Sequence, residues 1–249
     1  NVYNGHLSPS LGLQYHVSPT LLIKGGVGAG FKAPDYKMRY QVFFNPAANY
    51  LVVGSERVAD VIAAMDQAGE LSYKNSYMLN LVAGNLKTET SISKNLGLTW
   101  NPTKRLQADF SVFYHRINNQ INTVSVGNGT KVAQIYSYRN LPKAMNKGFE
   151  VSLTYQATKD LQLSMGYQYL IAKDLSVLDS IVKGSYPYNQ INDPATGEYR
   201  QSKKSDYWGI EDRSRHMFNA KAQYEYKPWG VNVNARVNFR SATPFQEYN

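Results

Sequence analysis

The sequence predicts an all-β protein, and more narrowly a transmembrane antiparallel β-barrel of which about eight strands are present. Three observations support this fold class. First, apolar and polar residues alternate with a period of two in about eight segments of roughly ten to thirteen residues. Second, short turns and long connections follow these segments in alternation. Third, the chain has 20 tyrosines, and aromatic residues gather at the ends of the segments.

Each predicted strand has one apolar and one polar face, because successive side chains point to opposite sides of a strand. The polar faces are rich in Asn, Gln, Ser and Gly. Lys94 is an exception on an apolar face, where its aliphatic stem can extend to a membrane interface. The eight apolar faces, in chain order, are Leu11, Leu13, Tyr15, Val17; Leu21, Ile23, Val27, Ala29, Phe31; Ile92, Leu96, Leu98, Trp100; Leu106, Ala108, Phe110, Val112, Tyr114; Phe149, Val151, Leu153, Tyr155, Ala157; Leu161, Leu163, Met165, Tyr167, Tyr169, Ile171; Phe218, Ala220, Ala222, Tyr224, Tyr226; and Val231, Val233, Ala235, Val237, Phe239.

The predicted connections differ in length between the two ends of the strands. Good turn sequences occur at residues 18–19, 101–104, 158–160 and 227–230. Between them lie three long connections, at about residues 33–90, 118–146 and 173–213. Loops this long are unusual inside a compact domain. Their alternation with short turns predicts one elaborate rim and one plain rim.

The first long connection contains a predicted helix over residues 55–69. Ser55 is its expected N-cap and Gly69 its expected C-cap. We expect its apolar stripe to pack on the loop itself rather than on a ligand or partner. That stripe consists of Val58, Val61, Ile62 and Met65.

Alternation alone leaves both a soluble sandwich and a membrane barrel open. The segments are long enough to cross a bilayer at a tilt, which takes about 9 to 11 residues. No stretch approaches the roughly 20 apolar residues of a membrane helix, so a helical membrane protein is excluded. The aromatic residues form two groups, as the interfacial girdles of a membrane barrel do. One group, beside the short turns, is Tyr15, Trp100, Tyr155, Tyr226 and Trp229, and the other is Phe31, Tyr114, Tyr169 and Phe239.

The orientation of the predicted strands indicates a piece of a larger barrel. If the short turns are periplasmic, the first strand, about residues 7–17, runs towards the periplasm. The last strand, about residues 230–240, then runs away from it. Both ends of the chain are thereby expected at the outer rim, whereas a complete bacterial barrel keeps both termini in the periplasm. About eight strands is therefore a lower bound.

Composition argues against catalysis and against a metal site. The chain has no cysteine, which excludes thiolate nucleophiles and iron–sulfur clusters. No histidine spacing fits a metal site, and nothing resembles a nucleophile elbow. We therefore expect neither an enzyme nor a cofactor. The four histidines are dispersed at His6, His16, His115 and His216.

The net charge of +9 favours anionic ligands over nucleic acid. Lys and Arg are spread over loops and polar faces, without a dense basic run or a recognition helix, so no nucleic-acid partner is expected. Arg236 and Arg240 are expected to line the barrel lumen. Other cations are expected at the outer rim, where they serve either an anionic ligand or anionic lipopolysaccharide. These are Arg39, Arg139, Lys203 and Lys204.

Seven segments resemble the motifs of TonB-dependent outer-membrane receptors, in order and spacing through nearly the whole chain. The first two contain the family-motif positions Phe31, Ala33, Pro34, Asn85, Leu86 and Glu89. The segments are residues 30–34 (GFKAP), 83–90 (AGNLKTET), 95–98 (NLGL), 113–121 (FYHRINNQI), 146–151 (NKGFEV), 167–174 (YQYLIAKD) and 212–216 (DRSRH).

The resemblance implies a barrel of about 22 strands closed from within by an N-terminal plug. Such a receptor imports a scarce ligand of the ferric siderophore, haem or cobalamin class. Its energy comes from the inner membrane through the periplasmic coupling protein TonB. Residues 1–249 would then be one partial barrel domain in the bacterial outer membrane, in contact with lipid and lipopolysaccharide, with the plug and coupling segment outside them. The alternatives are a passive or structural barrel, such as a porin or adhesin, and then a soluble β-sandwich.

Haem receptors of the family carry a ligand histidine in a loop between two similar motifs, but residues 35–84 contain no histidine here. Tyrosines of this loop could bind iron as phenolate or stack on a ligand, or they could simply pack the loop. Tyr50 belongs to this group. The ligand-binding residues we predict are Tyr36, Arg39, Tyr40, Tyr73, Tyr77, Arg139, Arg236 and Arg240.

Overall fold

The structure is a computed structural model that describes residues 7–82, 84–193 and 196–243. Among these residues it is mostly antiparallel sheet with a few short helices. In chain order the elements are β1 Ser10–Ser18, β2 Leu21–Lys32, α1 Tyr36–Tyr40, β3 Val42–Asn45, β4 Tyr50–Val53, α2 Val58–Gln67, β5 Leu71–Lys74, α3 Ser76–Val82, β6 Glu89–Thr103, β7 Leu106–Gly129, β8 Gln134–Gln156, β9 Leu161–Asp174, α4 Leu175–Lys183, β10 Gln190–Asn192, β11 Tyr199–Gln201, β12 His216–Tyr226, a 3₁₀ turn Lys227–Trp229, and β13 Val231–Arg240.

The chain forms two compact units. The sheet unit contains residues 8–30, 92–116 and 144 onward, and the loop unit contains residues 31–91 and 117–143. In the described part of the chain, no helix is long and apolar enough to cross a membrane.

All eight predicted strands are present in the sheet unit. They are hydrogen-bonded in the order β1-β2-β6-β7-β8-β9-β12-β13, so β1 and β13 are the two edges. The strand registers bring the apolar rows into line across several strands. Ala220 of β12, for example, lies between Val237 of β13 and Met165 of β9, and Met165 in turn pairs with Leu153 of β8. These four strands therefore share one apolar face that is continuous from strand to strand.

The other face of the same strands is polar. Asn219 of β12 lies between Asn238 of β13 and Gly166 of β9, and Gly166 pairs with Ser152 of β8. We call these two surfaces the apolar face and the polar face of the sheet unit.

The apolar face is exposed rather than buried. Leu13 is 72% exposed and Val237 is 64% exposed, and similar values hold for Val233 and Phe239. A soluble sandwich would bury these rows against a second sheet. A continuous exposed apolar surface that extends over several strands is the expected lipid-facing surface of a membrane barrel. The transmembrane fold predicted from the sequence is confirmed.

The predicted short turns are also confirmed, and two of them are linked. The β12–β13 turn has Gly230 at a φ of 62°, a conformation that favours glycine. Lys227 of this turn forms an ion pair of 2.9 Å with Asp160 of the β8–β9 turn. Tyr226 and Trp229 stack edge to face with 5.3 Å between ring centroids, at the predicted aromatic girdle.

The prediction of a long connection at residues 118–146 is wrong. Residues 118–146 are mostly strand, because β7 continues to Gly129 and β8 begins at Gln134. Only residues 130–133 connect the two, with a hydrogen bond of 2.9 Å from Gly129 N to Val132 O. The alternation is hidden because Asn119 has a φ of 53°, which interrupts the two-residue period inside β7.

The predicted helix in the first long connection exists, but its start was wrong. Helix α2 begins at Val58, and its N-cap position is Arg57, which makes no side-chain cap bond. Ser55 is instead buried in the preceding turn, where its backbone N–H donates to Met38 O at 2.9 Å. Its buried backbone bond holds Ser55 away from the helix end.

The end of α2 and the packing of its stripe follow the prediction. Gly69 has a φ of 67°, and the N–H groups of Gly69 and Glu70 donate to the last carbonyls of the helix. Val58 and Ile62 are buried, and α2 contacts α3 and β5 within the loop unit. The stripe therefore packs on the loop itself.

Candidate ligand-binding surfaces

The polar face of the sheet unit contains a groove of about 580 Å³. Amides, hydroxyls and charges line it because every second residue of β7, β8, β9, β12 and β13 points to this side. Representative lining residues are Lys24, Glu150, Gln168, Asn219 and Arg240.

The acids of this groove are hydrogen-bonded to neutral donors. Asp109 accepts from Thr99 Oγ1 at 2.6 Å and from Gln107 Nε2 at 2.8 Å. Glu150 accepts from Gln168 Nε2. Within residues 7–82, 84–193 and 196–243, no ion pair involves the cations of the polar face. Their positive charge is therefore available to a ligand.

The structure places both predicted lumen arginines on the polar face of β13. Arg240 lies opposite Met217 and lines the groove, and Arg236 lies directly opposite Lys221 of β12. Lys221 Nζ donates to Gln223 Oε1 at 3.1 Å. Two like charges opposite each other in a sheet are unfavourable unless an anion lies between or near them. This pair therefore attracts anions.

In the loop unit, Tyr36, Arg39 and Tyr40 form one cluster on α1. The rings of Tyr36 and Tyr40 have centroids 5.3 Å apart, and the Arg39 guanidinium lies 4.9 Å from the Tyr40 ring centroid. Arg39 also forms an ion pair with Glu56. Tyr36 is 75% exposed. Arg39 thus has partners within the protein, and Tyr36 presents the open surface of the cluster.

The other predicted loop residues lie on different elements from this cluster. Tyr73 on β5 is 53% exposed, whereas Tyr77 on α3 is half-buried. Tyr50 packs edge to face on Tyr136 with centroids 5.8 Å apart. Arg139 on β8 is half-buried, and its Nε has no hydrogen-bond partner in the described part of the chain.

The sequence does not single out Tyr138, because it lies in residues 118–146, which the alternation pattern predicts to be a long connection. Burial raises the pKa of its phenol, and the negative charges of Asp35 and of ionised Tyr50 add to that shift. The phenol is therefore protonated at neutral pH. This disfavours iron coordination by a Tyr138 phenolate and favours hydrogen bonding.

Residues of the second family motif, residues 83–90, form hydrogen bonds with β7 and β8. Glu89 Oε2 accepts from the N–H of Ile121 at 2.9 Å. The side chain of Asn140 accepts from Lys87 N at 2.7 Å and donates to Lys87 O and to the carbonyl of Asn119. The motif thus ties the start of β6 to the irregular point of β7, and Asn140 is a partner that the sequence did not reveal.

The remaining family-motif positions differ in how far they are buried. Leu86 and Pro34 are buried, Ala33 is half-buried and Phe31 is exposed by 47%. Asn85 is exposed.

Residues 1–249 match the family model described as "TonB dependent receptor-like, beta-barrel". Among curated proteins, the chain is 28% identical over 180 residues to the ferric enterobactin receptor of Pseudomonas aeruginosa, covering 69% of this chain and 21% of that protein. It is 25% identical over 177 residues to the ferrienterobactin receptor of Escherichia coli, covering 70% and 21%. The chain thus spans about a fifth of the length of these relatives.

Solved structures of similar fold come from the same family. A crystal structure of the ferric enterobactin receptor PfeA of Pseudomonas aeruginosa aligns with a TM-score of 0.52 at 18% identity, over 95% of this chain and 28% of that one. The siderophore receptor PirA of Pseudomonas aeruginosa aligns with a TM-score of 0.51 at 15% identity, over 93% and 33%. At these identities the alignments show the fold alone.

The family match, the two-faced sheet and the exposed apolar rows agree with one another. The predicted family, barrel fold and outer-membrane location are confirmed, and the family is one of receptors rather than enzymes. The chain belongs to the TonB-dependent receptor family and is part of its transmembrane β-barrel in the bacterial outer membrane.

Proposed function

We propose that the receptor containing this chain takes up an anionic ferric siderophore across the outer membrane. The observation that carries the proposal is the positive charge of Arg236, Arg240 and Lys221 on the polar face of the sheet unit, which forms no ion pair among the described residues. Positive charge in a polar channel raises the local concentration of an anionic ligand. The activity is binding and transport, without covalent change to the ligand.

The ligand class is supported by the names of the relatives. Two of them are named as receptors for ferric enterobactin, an anionic iron chelate. Haem and cobalamin receive no such support, and residues 35–84 offer no histidine to a haem iron. A ferric chelate also brings its own iron ligands, so the protein needs to supply only charge, hydrogen bonds and stacking surfaces.

The predicted residues divide into two groups. In the sheet unit, Arg236 and Arg240 guide the chelate along the polar face. In the loop unit, the exposed rings of Tyr36 and Tyr73 offer stacking surfaces. In this proposal Arg39 supports Tyr40 through its cation–π contact. Tyr77 and Arg139 remain predicted contacts of the bound ligand.

In this proposal, the plug domain and the segment that binds TonB lie outside residues 1–249. A plug domain closes the barrel, and a segment before it binds TonB, which supplies energy from the inner membrane. Residues 1–249 are then a partial barrel domain that neither closes nor transports by itself.

The test is ligand binding to the intact receptor, with ferric enterobactin, haem and cobalamin followed by their absorbance changes. We expect binding of the ferric chelate only. The double substitution Arg236→Gln with Arg240→Gln should weaken it about tenfold, the equivalent of about 1.4 kcal/mol. Lys104→Gln with Lys159→Gln, which removes two cations of the short turns at the other end of the strands, is the matched control. Unchanged affinity in a folded double variant, or binding of haem or cobalamin instead, would contradict the proposal.

A further inference from the structure

The loop unit contains strands that form a small sheet, and one edge of this sheet is unprotected. Its strands, with the parts of β7 and β8 that belong to the unit, follow the order β5-β7-β8-β4-β3. In the described part of the chain, β3 pairs with no strand other than β4. An edge strand presents a row of backbone N–H and C=O groups with which another strand can pair.

The outward-pointing backbone groups of β3 follow from its register with β4. Gly54 N donates to Gln41 O at 2.7 Å, and such bonded pairs recur at every second residue of an antiparallel ladder. Phe43 therefore turns its N–H and C=O towards β4, whereas Val42 and Phe44 turn theirs away. Among the residues that the structure describes, no backbone group pairs with those of Val42 and Phe44.

The side chains of this edge are apolar and about half exposed. Val42 lies opposite Val53, which is fully buried, yet Val42 itself is 47% exposed. Phe44 on the same face and Phe43 on the other are exposed to a similar extent. The apolar layer that is buried at β4 is therefore left uncovered at β3.

The opposite edge strand, β5, has the features by which proteins protect an edge. Its pairing with β7 shifts register between Leu71 and Tyr73. Charged residues flank it, since Glu70 forms an ion pair of 2.6 Å with Lys131, and Lys74 is also ion-paired. Irregular pairing and charge both discourage the addition of a further strand. In contrast, β3 has four regular pairs and no charged residue, which is the arrangement expected where a strand is added.

We propose that β3 pairs with an extended segment from another loop at the outer rim of the same receptor, in the part of the protein outside residues 1–249. An extended polypeptide has backbone donors and acceptors at the spacing of the row on β3, and its alternate apolar side chains cover Val42 and Phe44.

The occupant is assigned to the same molecule for two reasons. This chain spans about a fifth of the length of its curated relatives, so a receptor of their size has further loops. A segment of the same molecule also has an effective concentration in the millimolar range, which favours it over a separate protein or a second copy. The pairing goes beyond the proposed uptake and does not depend on the ligand.

The first test measures amide hydrogen exchange in the intact receptor, resolved to single residues by electron-transfer fragmentation. We expect the amides of Val42 and Phe44 to exchange at least about 100-fold more slowly than unprotected amides, because the added strand accepts their hydrogen bonds. Phe43, whose N–H points to β4, is the internal reference for a paired amide. Exchange of Val42 and Phe44 at the unprotected rate would overturn the proposal.

The second test identifies the occupant. The photo-crosslinking residue p-benzoylphenylalanine replaces Phe44 in the intact receptor, and the crosslinked peptides are identified by mass spectrometry. We expect a product that joins position 44 to a segment of the same molecule outside residues 1–249. The matched control carries the same photo-crosslinker at Ser72, an exposed position of β5, and should give little of that product.

A mixture of isotope-labelled and unlabelled receptor distinguishes a second copy from the same molecule. Crosslinking of position 44 to a second copy, to another protein or only within residues 1–249 would overturn the assignment. An equal yield of the expected product from positions 44 and 72 would overturn it as well.

Discussion

At the scale of single residues, close backbone contacts restrict which residue types a position can accept more strictly than side-chain chemistry does. Gly148 of β8 shows this most directly. A Cβ atom at this position would overlap the carbonyl oxygen of Tyr169 on β9 and would also press on the ring of Phe113. The two strands approach closely because the residue at 148 has no side chain. The motif that contains Gly148 is therefore a structural signature of the β8–β9 pair.

Gly148→Ala should accordingly destabilise the sheet. We expect a loss of roughly 1–3 kcal/mol, because the backbone of β9 has to shift to accept the methyl group. The measurement is the fraction of intact receptor that stays folded through a denaturant series in detergent.

A second glycine in the same sheet provides the control for Gly148. Gly12 of β1 also lies in a strand, but a Cβ there would meet nothing within 4 Å. Gly12→Ala should therefore leave stability nearly unchanged. Equal stability of the two variants would show that the close approach at Gly148 does not constrain the fold.

The sequence predicted which residues share a face of the sheet. It did not predict which side chains form hydrogen bonds to distant backbone groups. Alternation was sufficient to place Arg236, Arg240 and Lys94 on their correct faces. The anchoring role of Asn140 was not predictable, because its partners Lys87 and Asn119 are far from it in the chain. No local pattern in one sequence indicates such a contact.

At the scale of elements, the third long connection is ordered by its own interactions. Helix α4 begins after Asp174, whose Oδ1 accepts from Ser176 N at 2.8 Å, and ends at Gly184 with a φ of 62°. Its apolar side, Val177 and Ile181, packs on Tyr207. The connection is therefore a folded segment, as one expects when a loop buries apolar residues of its own.

A carboxylate and an arginine stabilise the part of this segment that follows β11. Asp206 accepts from Arg200 Nη1 at 2.7 Å, from Arg200 Nη2 at 2.9 Å and from Lys203 N at 2.7 Å. These hydrogen bonds lower the pKa of Asp206 to about 2. Because the pKa is lower in the folded state than in the unfolded state, the stabilisation is complete above about pH 4 and is lost as the pH falls towards 2.

We therefore expect residues 196–206 to lose hydrogen-exchange protection between about pH 4 and pH 2, while the sheet strands keep theirs. The Asp206→Asn variant should show reduced protection already at neutral pH and little further change on acidification. Asp179→Asn, at an exposed carboxylate of α4, is the control and should behave like the wild type. Protection that persists at pH 2 in the wild type would contradict this role of Asp206.

The strands of the sheet unit were predictable from the sequence, whereas the extension of β7 and β8 through residues 118–146 was not. The strands alternate strictly because one face meets lipid and the other meets water. In residues 118–146 the same constraint does not hold, and the turn of the backbone at Asn119 shifts the pattern. The error at Ser55 has a similar cause, since tertiary hydrogen bonding to Met38 outweighed a local capping preference.

At the scale of the whole molecule, function follows from the assignment of the two faces. The apolar face provides the contact with the membrane. The polar face provides the positively charged surface along which an anionic chelate is proposed to move. Both assignments depend on the registers that align Phe218 with Tyr167 and Asn219 with Gly166. A shift of one residue would exchange the two faces.

The most direct test of this account is the lipid exposure of single positions along β9 in the intact receptor, reconstituted into a bilayer. Residues 1–249 contain no cysteine, so within them a spin label attaches only at the cysteine introduced singly at one of positions 162–168. Collision with dissolved oxygen should be highest at Leu163, Met165 and Tyr167, and collision with a water-soluble nickel chelate should dominate at Ser164 and Gln168. Oxygen collision without a two-residue period, or with its maxima at Ser164 and Gln168, would contradict the central claim that the apolar rows face lipid.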